Sequence, residues 1–411
     1  MKQAPIRVAA LGVALFSFVH AQDSTRADQI EAQREQKEAS LTPEEPPRGE
    51  SVIESVENSS AYRLLTGEWN GFGVGFGTIV PGSGFAIRPR YTRGGLLNGH
   101  LTLRVEGMGA INESYGGRFD AMFSHFLDDR AFVDFNTSYY NISEMPYYGP
   151  GPDSRKTGRS DYRLERTNVE LRPGIRLVKG LHATLIGSFQ ADHVGPGHAD
   201  DYISTLLQFP ADLAPGIDRQ TSFWRGGGRL EYDWRNNTLN PTSGGIYSAQ
   251  YVRYLDADLG RYSFFRLDLD GWQYIPLLNR SHVIALHGAA SLTDTNGSQV
   301  VPFYLQPTLG GPYDLRGYRF DRFYGNNSTL LTAEYRWDVS PIVQLVAFAD
   351  GGKVFNTWQQ WNFHDIQSDV GFGIRVKSMS GRTAFNFDTG FSHEGVELWF
   401  GVNNALQSRA E

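Results

Sequence analysis

The chain has 411 residues, a formal net charge of −7, 13% aromatic residues, 46 glycines and no cysteine. The lack of cysteine excludes disulfides, zinc–thiolate sites and thiol nucleophiles, and the acidic balance argues against nucleic acid as a partner. So many aromatics and glycines suit an all-β chain that bends and turns often.

Residues 1–21 read as an export signal. Lys2 and Arg7 give a positive start, Val8 to Val19 form an apolar run, and Val19-His20-Ala21 offers small residues before Gln22. A run of about 12 residues is short of the roughly 20 that a spanning helix needs, so cleavage is expected rather than an anchor. Residues 22–66 are charged and carry Pro43, Pro46 and Pro47, the composition of a flexible periplasmic linker. Residues 67–411 are expected to form the folded domain. Nothing there could cross a bilayer as a helix, but that does not decide the class. A spanning barrel alternates lipid-facing apolar residues with polar ones and averages out polar.

From Gly67 onward the period is two. The first strand, 71–79, alternates Gly71, Gly73, Gly75 and Gly77 with Phe72, Val74 and Phe76. It lacks the strand-to-helix context and the Lys-Ser/Thr of a phosphate loop. Further strands are expected at 83–92, 99–107, 117–126, 131–140, 167–178, 181–194, 221–234 and 244–255. The last seven are expected at 262–274, 281–291, 329–338, 342–351, 367–378, 382–391 and 395–403. Leu101, Leu103 and Val105 alternate with Thr102, Arg104 and Glu106, and Phe265, Leu267 and Leu269 with Arg266, Asp268 and Asp270. Later, Leu331, Ala333, Tyr335 and Trp337 alternate with Thr332, Glu334, Arg336 and Asp338. Val370, Phe372, Ile374 and Val376 alternate with Gly371, Gly373, Arg375 and Lys377. Each strand has an apolar face and a polar one.

Sixteen such strands make an antiparallel transmembrane β-barrel the expected fold, the even count returning both ends to one side. The connections agree. Those after even-numbered strands are mostly short, as at 127–130, 179–180 and the Ser340-Pro341 turn, whereas 141–166, 195–220, 292–328 and 352–366 are long. Short periplasmic turns and long external loops mark an outer-membrane barrel.

No enzyme motif appears: there is neither a Gly-x-Ser-x-Gly elbow nor a His-Glu-x-x-His pair. His193, His198, Asp200 and Asp201 cluster in one long loop and could ligate a metal, but external loops are commonly polar. Neither a metal nor another cofactor is expected.

The longest loop ends in Leu309-Gly310-Gly311-Pro312-Tyr313-Asp314-Leu315-Arg316-Gly317-Tyr318, followed by Phe323 and Gly325 and the strand from Leu330 to Arg336. Three more stretches accompany it. Tyr232-Asp233-Trp234-Arg235-Asn236-Asn237 leads through Pro241 to Gly244-Gly245; Phe348-Ala349-Asp350-Gly351-Gly352 follows; Gly371-Phe372-Gly373-Ile374-Arg375 comes last, with Ser378 and Gly381. In this order they resemble the BamA/TamA superfamily of outer-membrane assembly and secretion barrels, the bacterial surface antigens, over roughly residues 67–403.

The resemblance implies that the sixth external loop, between the eleventh and twelfth strands, folds back into the lumen by its Arg-Gly-aromatic motif. Parity puts Glu334 with polar Thr332 and Arg336, and Asp350 with Gln344, so both acids are expected to point inward. Read from the residues alone, Arg316 is a solvated loop arginine rather than a buried one. The resemblance implies instead that Arg316 is held by Glu334, Asp350 or both, that Gly317 allows a tight turn, and that Tyr318 packs against the wall. It also implies a weakly paired seam between first and last strands, the lateral gate proposed for the family.

Two features depart from the family's pattern. About 40 linker residues stand where POTRA domains are expected, and the chain runs past Phe400 to Glu411 instead of ending on an aromatic. The implied role is insertion or export of proteins at the outer membrane, with membrane lipid and unfolded outer-membrane proteins as partners. The alternative is a passive porin-like channel whose selectivity would be tuned by Arg104, Glu106, Asp268 and Asp270.

Overall fold

The structure is a computed structural model and describes residues 69–81, 84–277, 281–378 and 383–402. The expected signal peptide (1–21) and linker (22–66) lie outside the described residues.

Sixteen strands pair in chain order as one antiparallel sheet that curls into a nearly closed barrel. They begin with β1 (Phe72–Gly77), β2 (Ala86–Leu96), β3 (Leu101–Ala110), β4 (Tyr115–Phe126), β5 (Ala131–Tyr147) and β6 (Ser160–Val178). Next come β7 (Leu181–Pro196), β8 (Thr221–Asp233), β9 (Gly244–Asp256), β10 (Phe264–Leu277) and β11 (His282–Asp294). Two short strands in the sixth loop, β12 (Thr308–Leu309) and β13 (Phe323–Tyr324), form a separate two-stranded sheet. The wall then resumes with β14 (Asn327–Ser340), β15 (Val343–Phe355), β16 (Gln367–Lys377), β17 (Thr383–Ser392) and β18 (Gly395–Val402). Every expected strand is present, and the fold class is as read from the alternation.

The two faces separate as the period requires. Leu331, Tyr335 and Trp337 of β14, Val370, Phe372 and Ile374 of β16, and Leu398 and Phe400 of β18 are exposed on the outside. Glu334, Arg336, Asp350, Arg375 and Asp388 are buried on the opposite face. In hydrocarbon no water can satisfy a strand's backbone groups, so a ladder running round the wall is what makes such a sheet viable. β1, the shortest wall strand, approaches β18, but no ladder joins them among the described residues.

Two strands run furthest past their expected bounds. β5 continues to Tyr147 and β6 starts at Ser160, so the loop expected at 141–166 shrinks to 148–159. Beyond Tyr140 the extended ribbon is buried on both faces, and a register shift falls between Ile142 and Met145. Its sequence therefore loses the apolar–polar alternation, and Pro146 reads as a breaker.

That extension supports the main apolar core, where loop residues such as Ile217, Phe303 and Tyr324 pack against Leu164, Phe223, Val252 and Phe264 of the wall strands. The Tyr147 ring stands 4.9 Å from each of Phe209, Phe303 and Tyr324. Its hydroxyl donates to the Leu213 carbonyl (2.5 Å), and that of Tyr324 donates to the Pro146 carbonyl (2.6 Å). Loops 197–220 and 295–326 share this core, and loop 148–159 joins them through Gly151 bridged to Tyr324 and the Gly158 carbonyl accepting from Gln208. A second apolar cluster joins loop residues Leu315 and Tyr318 to Leu330 and Val354 of the wall.

Candidate functional site

The sixth loop, 295–326, is folded by its own short-range bonds before it meets the wall. The Asp314 carboxylate accepts from the backbone N–H of Gly310 and of Leu315, both at 2.7 Å. Gly310 has φ +115° and an added Cβ would sit 2.3 Å from the Arg319 carbonyl oxygen, so glycine is required there. The Tyr318 N–H then donates to the Leu315 carbonyl (3.1 Å), closing a turn that presents Arg316.

Arg316 is 2% exposed and spends its donors on two strands. Nε and Nη2 donate in parallel to the two oxygens of Asp350 on β15, each at 2.8 Å. Nη1 donates to Glu334 Oε1 on β14 at 2.6 Å. The guanidinium also lies 3.4 Å above the centre of the Phe348 ring, a cation–π contact in a dry setting. Burial alone would lower the pKa of this loop guanidinium. Glu334 and Asp350 outweigh that and raise it above its ordinary value, so Arg316 is charged at every accessible pH.

Glu334 holds more than one partner. Arg336 Nε donates to Oε2 at 2.8 Å, and Arg375 of β16 reaches Oε1 at 3.2 Å. One carboxylate thus links three guanidiniums from the loop and two wall strands. Charge-assisted and bidentate bonds of this kind are the strong class, and their worth depends on none being left unpaired.

Gly317 has no positive φ; clearance, not backbone freedom, is what demands it. An added Cβ would stand 2.5 Å from Asp369 Cβ. Its carbonyl accepts from Ser392 Oγ at 2.7 Å. Tyr318 is buried and donates its hydroxyl to the Ser368 carbonyl at 3.2 Å, with His393 Nδ1 3.0 Å away. All five residues singled out in the sequence therefore meet at one place: Arg316, Gly317, Tyr318, Glu334 and Asp350.

A match to the Omp85 superfamily domain covers residues 101–396. The chain belongs to the Omp85 superfamily. As an Omp85 barrel it is similar in fold to BamA from Haemophilus ducreyi lacking POTRA domains 1–3, with 16% identity and a TM-score of 0.60, over 85% of this chain and 80% of that one. It is also similar to CdiB from Escherichia coli, with 14% identity and a TM-score of 0.54, covering 80% of this chain. This Omp85 chain spans 61% of the CdiB chain's length. No curated protein matches it.

The remaining motif stretches of the Omp85 pattern have local physical reasons. Arg235 grips Asp233 through Nε (2.9 Å) and Nη2 (2.6 Å), and Asn236 Oδ1 accepts from the N–H groups of Thr242 and Ser243. These bonds fix the turn between β8 and β9. The loop residues weighed as metal ligands do not gather. His193 stands on β7 opposite Glu165, and His198 lies 3.5 Å from Glu113. Among the described residues no group of three metal-ligating side chains forms.

Several contacts escaped the sequence. Trp399 of β18 donates Nε1 to the Arg316 carbonyl at 2.8 Å. Gly371 leaves room for the Phe348 ring, whose nearest atom would be 2.3 Å from an added Cβ. Arg322, also in loop six, is buried and chelates Glu394 between β17 and β18, with bonds from Nε (3.0 Å) and Nη2 (2.7 Å). Its Nη1 reaches Ser154 Oγ in the loop after β5 at 2.8 Å. A long-range charge pair with no local pattern leaves no signal in sequence.

Proposed function

We propose that this chain is an outer-membrane barrel that assists the insertion or export of proteins, and that Arg316 locks its sixth loop inside the lumen. The observation carrying this reading is the Arg316 guanidinium, which joins a buried loop to carboxylates on two neighbouring wall strands. Membership of the Omp85 superfamily supports the class of activity.

The mechanism needs no covalent chemistry. The seam between β1 and β18 lacks a ladder among the described residues, so backbone N–H and C=O groups there are available to template an incoming strand. A client strand would add to that edge while the rest of the wall keeps its registers. The lock's part is to hold the β14–β16 side rigid as the seam yields. Trp399, on β18, links the seam strand to the Arg316 carbonyl, and so couples the two.

Deleting the gene and measuring the outer-membrane content of other barrels tests the role. Reduced levels of folded barrels or of exported proteins are expected. Normal levels of all of them would overturn it.

A further inference from the structure

The loop between β15 and β16, residues 356–366, carries an aromatic cluster that the lock does not use. In sequence it reads Asn356-Thr-Trp-Gln-Gln-Trp-Asn-Phe-His-Asp-Ile366. Its position follows from the register of the wall. Leu331, which is 71% exposed on the outer face, pairs with Gly351; Thr329 pairs with Lys353, and Asn327 with Phe355. Paired residues share a face, so Lys353 and Phe355 point outward. Both are nevertheless buried.

The loop is what covers them. Lys353 Nζ donates to Asn362 Oδ1 (2.7 Å) and to the His364 carbonyl (2.8 Å), and the Trp358 ring lies 5.7 Å from that of Phe355. An added Cβ on Gly351 would lie 3.7 Å from Ile366. The loop is therefore folded down over the outside of the barrel. Gln360 fixes its first turn by accepting from the Asn356 N–H at 2.8 Å. Covered on one side by the wall, the loop turns Trp358 and Phe363 outward, 61% and 78% exposed, with Trp361 packed 5.1 Å from Phe363.

Height decides what they meet. The exposed column of β16 runs Val376, Ile374, Phe372, Val370, Ser368 and on to Ile366. Ten residues span ~33 Å along a strand at ~3.3 Å each, and a tilt of about 40° reduces that to a rise of roughly 25 Å, the height of a barrel's apolar band. Trp358, Trp361 and Phe363 thus stand at the upper rim of the lipid-facing wall. Indole and phenyl rings favour the boundary between headgroups and acyl chains.

We infer that loop 356–366 is a membrane-anchoring ledge whose aromatic rings insert into the headgroup–acyl boundary of the outer leaflet. The ledge rests on the outer-membrane reading above. Lys353 serves it by tying the loop to the wall with its charge satisfied inside.

The chain has no cysteine, so single nitroxide labels can be placed on the full-length protein in lipid vesicles. Phe363→Cys reports the ledge, Leu331→Cys the wall, and Asp201→Cys an exposed external loop. Collisions with oxygen are compared with those of a water-soluble nickel chelate. The ledge label is expected to favour oxygen over chelate as the wall label does, and the Asp201 label to show the reverse. A ledge label that behaves like the Asp201 one overturns the ledge but leaves the membrane reading standing. A water-exposed wall label sinks the membrane reading itself. Spin–spin broadening confined to the ledge label would mean that a second copy covers it, which also overturns the assignment.

Discussion

Gly390 of β17 passes so close to Arg316 that an added Cβ would stand 2.4 Å from the arginine's carbonyl carbon and oxygen. The loop and the wall meet there backbone to backbone, and neither atom set belongs to a flexible side chain that could move aside. The seat of the Arg-Gly-Tyr turn is therefore shaped by a residue on another strand.

Gly390→Ala is expected to unseat the turn. Forcing one methyl into this space should cost about 1–3 kcal/mol, the usual range for overpacking. Thermal unfolding in detergent, with protease cleavage within 295–326 as a local readout, checks it. An unchanged transition and an uncut loop would mean that the approach is looser than the geometry says.

Arg316→Ala should destabilise the barrel by about 3–5 kcal/mol, because a buried acid is left without its cation. The loss is unequal between the two acids. Glu334 keeps Arg336 and Arg375, whereas Asp350 loses the two charged bonds from Arg316 and is left beside Asp369, its partner on β16. Adding Asp350→Asn to Arg316→Ala is therefore expected to recover part of the loss. Adding Glu334→Gln should deepen it, since Arg336 and Arg375 would then be stranded. A double-mutant cycle on thermal stability separates these signs.

Arg316→Lys is not a conservative change here. An ammonium cannot make the two parallel bonds to Asp350 or lie flat over Phe348. The variant should unfold between wild type and Arg316→Ala. Wild-type stability for the lysine form would reduce the site to a simple point charge.

Arg322→Ala should loosen the outer ends of three elements while leaving the Arg316 pairings in place. It removes the bonds that tie loop six to Glu394 and Ser154. Faster proteolysis in 148–159 and 295–326, with the barrel's heat-modifiable mobility on gels retained, is the expected pattern.

Planar-bilayer conductance separates the lock from a passive pore. Freeing loop six by Arg316→Ala should enlarge the current and make it fluctuate. A steady, ion-selective current identical in wild type and variant would favour a channel whose lumen never held the loop.

The wall was readable in the sequence because lipid on one side and a polar interior on the other impose period two. Leu331 to Trp337 and Val370 to Val376 show it without interruption. It became unreadable where that contrast ends, as along Ile142 to Tyr147, buried on both sides by loops. Parity also put Glu334 and Asp350 on one face. It could not bring Arg316 to them; that reading came from the motif. Gly390, Trp399 and Glu394 were out of reach, because each acts on a loop separated from it by roughly 70 residues or more of chain, and such pairings follow from closure of the wall, not from local pattern.

Reconstitution offers the sharpest test of an insertase that depends on its lock. Purified protein is placed in lipid vesicles, and the folding of a small unfolded outer-membrane barrel is followed by its heat-modifiable shift on gels. Wild type should speed that folding over empty vesicles, and Arg316→Ala, compared at equal amounts of folded barrel, should lose most of the gain. Folding no faster with wild type than with empty vesicles would contradict the proposed activity. A full gain retained by the variant would contradict the part given to Arg316.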